Sequence, residues 1–156
     1  MAKALLTTLV LFLFCLPVAC RQTGGAPDAD LFRRGRQLII EGDYVRARKS
    51  LENYLAQHPN GKFASRAIFF IAKAEVGLGN FAAARSAFQR VLAQHPATNE
   101  AHKARYKMAM LDLFEGRREA ALRKFRKLAK YPDGTLAPEA RAMVHYLEGR
   151  KPWSAR

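Results

Sequence analysis

Cysteine is scarce in this sequence and is confined to its start. The two cysteines are Cys15 and Cys20, and none follows them. The rest of the chain therefore cannot form disulfides, and it offers no thiolate to a structural zinc site. A helical core of roughly 130 residues is large enough to be stable without either support.

Catalytic motifs are missing as well. The sequence has no glycine-rich phosphate loop after a strand and no nucleophile elbow. His58 and His95 each precede a proline at equivalent positions, so their recurrence indicates a structural repeat. Glu75 and Asp112 are also equivalent, and we expect them to pair with nearby Lys or Arg. The sequence therefore predicts no enzyme activity, no catalytic residue, no metal site and no cofactor.

Acidic residues are few compared with basic ones. The chain has 27 Lys and Arg but 13 Asp and Glu, which gives a formal net charge of +14 at pH 7. The densest basic segment contains Arg117, Arg118, Arg123, Lys124, Arg126, Lys127 and Lys130. We expect most of these charges to point away from the core. They form either a surface for anionic lipid, lipopolysaccharide or an acidic partner, or a solvated helix face.

What the sequence does contain is a repeat with a period of 37 residues. Its markers are a glycine at 42, 79 and 116, a proline at 59, 96 and 132, and alanines at 64, 67, 101, 104, 137 and 140; the last proline and its alanines come one residue early. A fixed long period indicates a solenoid of stacked units. Such a stack exposes one extended surface, which favours binding over catalysis.

Each unit is predicted to contain two helices. Apolar residues follow each glycine at steps of three and four, as Tyr44 and Ala47 do, and this spacing keeps them on one helix face. The glycine allows a sharp turn between the helices, and the proline ends the second one. Asp43 and Asn80 are predicted to cap the second helices, whereas Arg117 cannot.

The whole repeat domain is predicted to span residues 28–149 and to be all-α. Three helix pairs are followed by a single helix over about 136–148, which should cover the apolar face of the third pair. No strand-length alternation of apolar and polar residues is present, so no sheet is expected. Residues 150–156 form a short C-terminal tail that either folds back or frays.

The N-terminal segment predicts export. Residues 4–19 are apolar, which is shorter than the roughly 20 residues of a membrane span and typical of a signal peptide. The stretch ends in Ala19 and Cys20 and resembles the lipobox of bacterial lipoproteins, which implies a lipid on Cys20. Without that lipid, the chain would be released into the periplasm. Residues 20–27 are predicted to be a flexible tether.

The repeats resemble the tetratricopeptide repeat. The matching positions are a small residue at 35, 72 and 109, the glycines, an aromatic residue at 44 and 81, an alanine at 47, 84 and 121, and a large apolar residue at 51, 88 and 125. The longer period and the alanines after the proline resemble envelope proteins of the YbgF (Tol–Pal coordinator) and BamD (outer-membrane assembly lipoprotein) kind. This implies a right-handed helical solenoid that serves outer-membrane protein assembly or the Tol–Pal machinery.

The resemblance also implies a concave groove lined by the first helix of each pair. Its register places an aromatic ladder and flanking cations on that face: Phe32, Phe69, Tyr106, Arg36, Arg66, Lys73 and Lys103. Rings supply contact area and cations supply orientation, so the groove would suit a peptide with acidic residues. The alternative is that the aromatic residues belong to the core.

Two other functions stay open at this point. Small repeat-bearing lipoproteins also act as pilotins in pilus or secretion-system assembly. The basic segment could instead make the protein a binder of anionic lipid or lipopolysaccharide, and this would be sensitive to salt. Nucleic acid is not expected as a partner, because the chain carries an export signal.

Overall fold

The computed structural model describes residues 27–130 and 136–149 as seven α-helices, with no strand among them. The helices are α1 (Pro27–Glu41), α2 (Tyr44–Gln57), α3 (Ala64–Gly77), α4 (Phe81–Gln94), α5 (Asn99–Phe114), α6 (Arg118–Ala129) and α7 (Ala137–Leu147). The predicted all-α class and helix order are confirmed. α1 begins at Pro27, within the segment that was predicted to be tether. The predicted signal peptide, Cys20 and the predicted C-terminal tail lie outside the described residues.

The helices form three antiparallel pairs that stack in chain order. Each helix packs on the next one along the chain, from α1 on α2 to α6 on α7. The first helices also touch one another, α1 with α3 and α3 with α5, whereas no comparable contact joins the described residues of α2 to α4 or of α4 to α6. The first helices therefore line the inner, concave side of the stack, and the second helices line its outer side.

The turn inside each pair is made by its glycine. Gly42, Gly79 and Gly116 have φ between 74° and 79°, a left-handed conformation that side chains disfavour. At the second turn, the Asn80 N–H donates to the Glu75 carbonyl at 2.8 Å and the Gly79 N–H donates to a carbonyl of the same last turn. This is the Schellman arrangement that ends a helix at glycine. The predicted role of the glycines is confirmed.

The predicted caps hold at one pair and fail at the next. The Asp43 carboxylate accepts from the Arg46 N–H at 3.0 Å, as expected for an N-cap. Asn80 makes no such bond, because its amide donates instead to the Glu75 carboxylate at 2.9 Å. The residue equivalent to Glu75 in the first pair is Leu38, so no buried carboxylate lies beside the cap position there, and Asp43 is an acceptor only.

Small residues allow the helices to approach closely. The alanines that follow the first two prolines, at 64, 67, 101 and 104, are buried in the larger core cluster. Gly35 lies against Leu51 so closely that a Cβ at this glycine would sit 2.5 Å from the leucine Cγ. Ala84 is fully buried in the same cluster. The repeated small positions therefore mark the places where helices touch.

α7 covers the third pair, as predicted for a terminal helix. Ala140 and Leu147 are buried in a second core cluster together with Phe125 of α6. Two polar contacts fasten the helices to each other: Arg118 donates to the Leu147 carbonyl, and Arg126 Nη2 lies 2.6 Å from the carboxylate of Glu148. Among the described residues, no helix has the length and apolar character needed to cross a membrane.

Candidate partner-binding surface

Two rings of the predicted aromatic ladder lie in the core. Phe32 and Phe69 are 4% and 7% exposed. Phe32 stacks on Phe63 with a centroid separation of 4.7 Å, and Phe69 packs against Phe88 at 5.6 Å. The prediction that these rings line an open groove is wrong, because they fill the space between the helices.

Tyr106, the third member of the predicted ladder, is partly buried. Its ring meets the ring of Phe125 edge-on at 5.3 Å. Burial, and then the negative charge of Glu139, raise the pKa of its hydroxyl. The ring therefore supports the contact between α5 and α6 more than it offers a surface to a partner.

In α3 and α5, the side chains that open onto the concave face come one position later. Phe70 follows Phe69 and is partly exposed, and Lys107 follows Tyr106 and is exposed. One residue turns a helix by about 100°. A register that is wrong by one residue therefore exchanges a core side chain for an open one.

Three lysines form a cluster on this face, which we call the lysine cluster: Lys73, Lys103 and Lys107. Burial lowers the pKa of Lys73, and the charges of Lys107 and Lys103 lower it further. Lys73 Nζ lies 5.3 Å from the centroid of the Phe70 ring, which is within range of a cation–π contact. Within residues 27–130 and 136–149, no carboxylate pairs with any of the three.

A cavity of about 250 Å³ lies beside the lysine cluster. Its lining combines apolar side chains with two of the lysines: Ile39, Tyr44, Lys73, Val76, Gly77, Phe88 and Lys107. Tyr44 lies directly over Gly77, where a Cβ would be 2.4 Å from the ring. The arrangement suits a ligand segment that has both apolar and anionic groups.

The other predicted cations of the groove differ in their surroundings. Arg66 pairs with Glu100 at 3.4 Å and is therefore partly neutralised. Arg36 is exposed on α1. The structure thus joins Lys73 and Lys103 in one cluster, whereas Arg66 is taken up by a neighbouring acid.

Phe70 and Lys107 are the residues of this face that sequence reasoning missed. Phe70 stands in an apolar run, residues 68–71, in which periodicity alone cannot tell the buried positions from the open ones. Lys107 is the clearer signal. A lysine four residues after Lys103 lies on the same helix face, and this spacing could have identified it.

The basic segment of α6 is mostly engaged within the protein. Arg117 and Lys124 bind Asp112, Arg126 binds Glu148, and Arg118 binds a backbone carbonyl. Six of the seven side chains are nonetheless exposed and Lys124 is partly exposed, as expected for charges that point away from the core. The exposed cations of this segment for which the described structure shows no partner are Arg123, Lys127 and Lys130.

Buried carboxylates join successive pairs, and this confirms their predicted pairing. Asp112 is 2% exposed and binds Arg85 of the preceding pair at 2.9 Å and Arg117 at 2.9 Å. Burial alone would raise the pKa of Asp112, but the hydrogen bonds from Lys124 and Arg117 outweigh it and lower the pKa. Glu75 repeats the pattern with Arg48 at 3.1 Å. In the described part of the chain, no cluster of His, Cys, Asp and Glu could hold a metal ion.

The family comparison decides the class of protein. A model of an outer membrane lipoprotein family, YfiO, matches residues 25–150, a range that covers all seven described helices. The chain belongs to the YfiO family. It is a periplasmic lipoprotein anchored to the outer membrane, with a role in protein interaction. YfiO proteins are non-enzymatic scaffolds, and no curated protein matches the chain.

Proposed function

We propose that this YfiO-family chain is a non-catalytic scaffold for outer-membrane protein assembly, attached to the membrane through a lipid on Cys20. The family match over residues 25–150 carries the proposal. The described helices support it, because a stack of pairs presents a long concave surface and a partner can bind there without any chemistry.

The concave surface supports a partner that carries both anionic and apolar groups. The lysine cluster has no acid partner in the described chain, and it lies beside a cavity with apolar walls. A protein segment with a carboxylate and an apolar side chain close together would satisfy both features. Charges at such a surface fix the orientation and speed association, while the apolar contact holds the complex.

Site-specific crosslinking in cells tests this function. A photo-reactive amino acid in place of the exposed Lys107 would lie on the concave side. The matched control carries the same probe in place of the exposed Arg123 on α6. We expect the first probe to capture a discrete outer-membrane assembly protein and the second to capture much less of it. Capture of a Tol–Pal protein or a pilus protein would instead assign the scaffold to that machinery.

Charge reversal then tests the lysine cluster. Lys73→Glu together with Lys103→Glu should reduce the crosslink at position 107 by roughly tenfold or more, because two attractive charges become repulsive. The control is Lys49→Glu with Lys62→Glu, which makes the same net change at exposed lysines elsewhere. An equal loss in both variants would show that only the total charge matters, and that the concave site is wrong.

A further inference from the structure

A second cavity lies between the C-terminal parts of α4 and α6, and side chains of α5 form its floor. Its volume is about 310 Å³. Its lining is divided into an apolar part, Leu92, Met108 and Leu128, and a cationic part, Arg105, Lys124 and Lys127. The lysine cluster contributes no residue to it, so the two sites are separate.

The preceding pair shows how this cavity arises. The residue 37 positions before Arg105 is Ile68, which is 1% exposed and lies in the core. The counterpart of Lys124 is Ala87, which packs against the same core cluster. An arginine cannot leave its charge in an apolar interior, so at the later junction its head group stays near solvent and the space remains open.

The cations of this cavity are not equally available. Lys124 already binds the carboxylate of Asp112. The side chains of Arg105 and Lys127 make no hydrogen bond or ion pair with any residue of the described chain. Two cations without a counterion in the described chain therefore border a pocket with apolar walls, an arrangement that can bind an anion with an apolar part.

We propose that this cavity binds the headgroup phosphate of an anionic phospholipid. Arg105 and Lys127 bind the phosphate oxygens, and Leu92, Met108 and Leu128 contact the glycerol and the first methylenes. An apolar floor favours an amphiphile over free phosphate, since phosphate has nothing to place there. The inference rests on the outer-membrane location and not on the identity of the protein partner.

The test uses the full exported chain with Cys20→Ser, so that the protein has no acyl group of its own. Its methionines after Met1 are Met108, Met110 and Met143. Met108 lines the cavity, whereas Met110 and Met143 pack in the second core cluster, which contains Phe125. Addition of short-chain phosphatidylglycerol should shift the methyl NMR signal of Met108 and leave the other two nearly unchanged.

The variant Arg105→Ile with Lys127→Ala should weaken this binding by about twenty-five-fold, because each cation near an anionic lipid contributes about fivefold. Isoleucine already occupies the equivalent position 68, so this fold accommodates it. The control variant, Lys49→Ala with Arg90→Ala, removes two exposed charges elsewhere and should keep most of the affinity. Thermal unfolding of both variants verifies that they fold.

Several results would overturn the proposal. They are an unmoved Met108 signal, equal binding of short-chain phosphatidylcholine, equal binding of inorganic phosphate, and an equal loss of affinity in the two variants. Displacement of the lipid by an acidic amphipathic peptide at lower concentration would assign the cavity to a protein partner. The crosslink at position 107 should persist in the Arg105→Ile, Lys127→Ala variant, so the two proposals fail independently.

Discussion

The carboxylate of Asp112 holds three cations from two successive helix pairs. Arg85 reaches it from α4, while Arg117 and Lys124 reach it from the start and the middle of α6. An acid that is 2% exposed would be costly to ionise without these partners. The same side chain therefore fixes the angle inside its own pair and the position of the pair before it.

This network predicts the effect of a single substitution. Asp112→Asn should lower the free energy of unfolding at pH 7 by about 2 kcal/mol, because the amide cannot neutralise the three cations. The partly exposed Arg117 and Lys124 can turn to water, which limits the loss. Chemical denaturation measures the change. The control, Glu119→Gln at an exposed acid of α6, should have almost no effect.

The difference in the free energy of unfolding between the wild type and Asp112→Asn should depend on pH. The folded-state pKa of Asp112 is lowered, so its contribution is complete above the unfolded pKa of about 4 and is lost as the pH falls through the folded value. The stabilities of the wild type and of Asp112→Asn should therefore converge on acidification below about pH 4. A difference that stays constant down to pH 2 or so would show that the carboxylate does not act through its charge.

At the scale of the helix, α4 shows how one face decides stability. Ala84 is fully buried where α4 meets its neighbours, whereas Ala83, one residue earlier, is exposed. Ala84→Arg should lower the melting temperature by roughly 10 °C or more, because it forces a charge into the core. Ala83→Arg is the matched control. Similar melting temperatures of the two variants, measured by circular dichroism, would contradict the packing of α4.

Local signals explain why so much of the helix pattern was predictable. Glycine ends a helix through its own φ and through hydrogen bonds within a few residues, so Gly42, Gly79 and Gly116 could be interpreted directly. The capping of α4 could not be predicted from local preference, because Asn80 is drawn to the buried carboxylate of Glu75. The sequence shows that both residues are present, but it does not show that Glu75 is buried beside Asn80.

The site was predicted less well than the fold, since it depends on contacts between helices. Residues 68–71 of α3 are all apolar and point to every side of the helix. Packing against α4 buries Phe69, whereas Phe70 is partly exposed. Burial of Phe69 follows from Phe88, which lies nineteen positions later in the chain. Spacing along one helix cannot supply that information; Lys73 and Lys103 were placed on the concave face by the register of the resemblance.

At the scale of the molecule, the attachment to the membrane is expected to depend on Cys20, which lies outside the described residues. Cys20→Ser should move the protein from salt-washed membranes to the soluble periplasmic fraction, because acyl chains supply most of the membrane affinity. Cys15→Ser is the control, since residue 15 lies inside the predicted signal peptide. Cell fractionation and immunoblotting measure the outcome, and a Cys20→Ser protein that stays in the washed membranes would contradict lipidation.

The ionic bond between successive pairs also has a mechanical meaning. Arg48 binds Glu75 and Arg85 binds Asp112, so an ionic bond lies at the equivalent place in both joints of the stack. We expect both bonds to resist bending of the solenoid under load. Loss of one of them should concentrate the bending at its own joint.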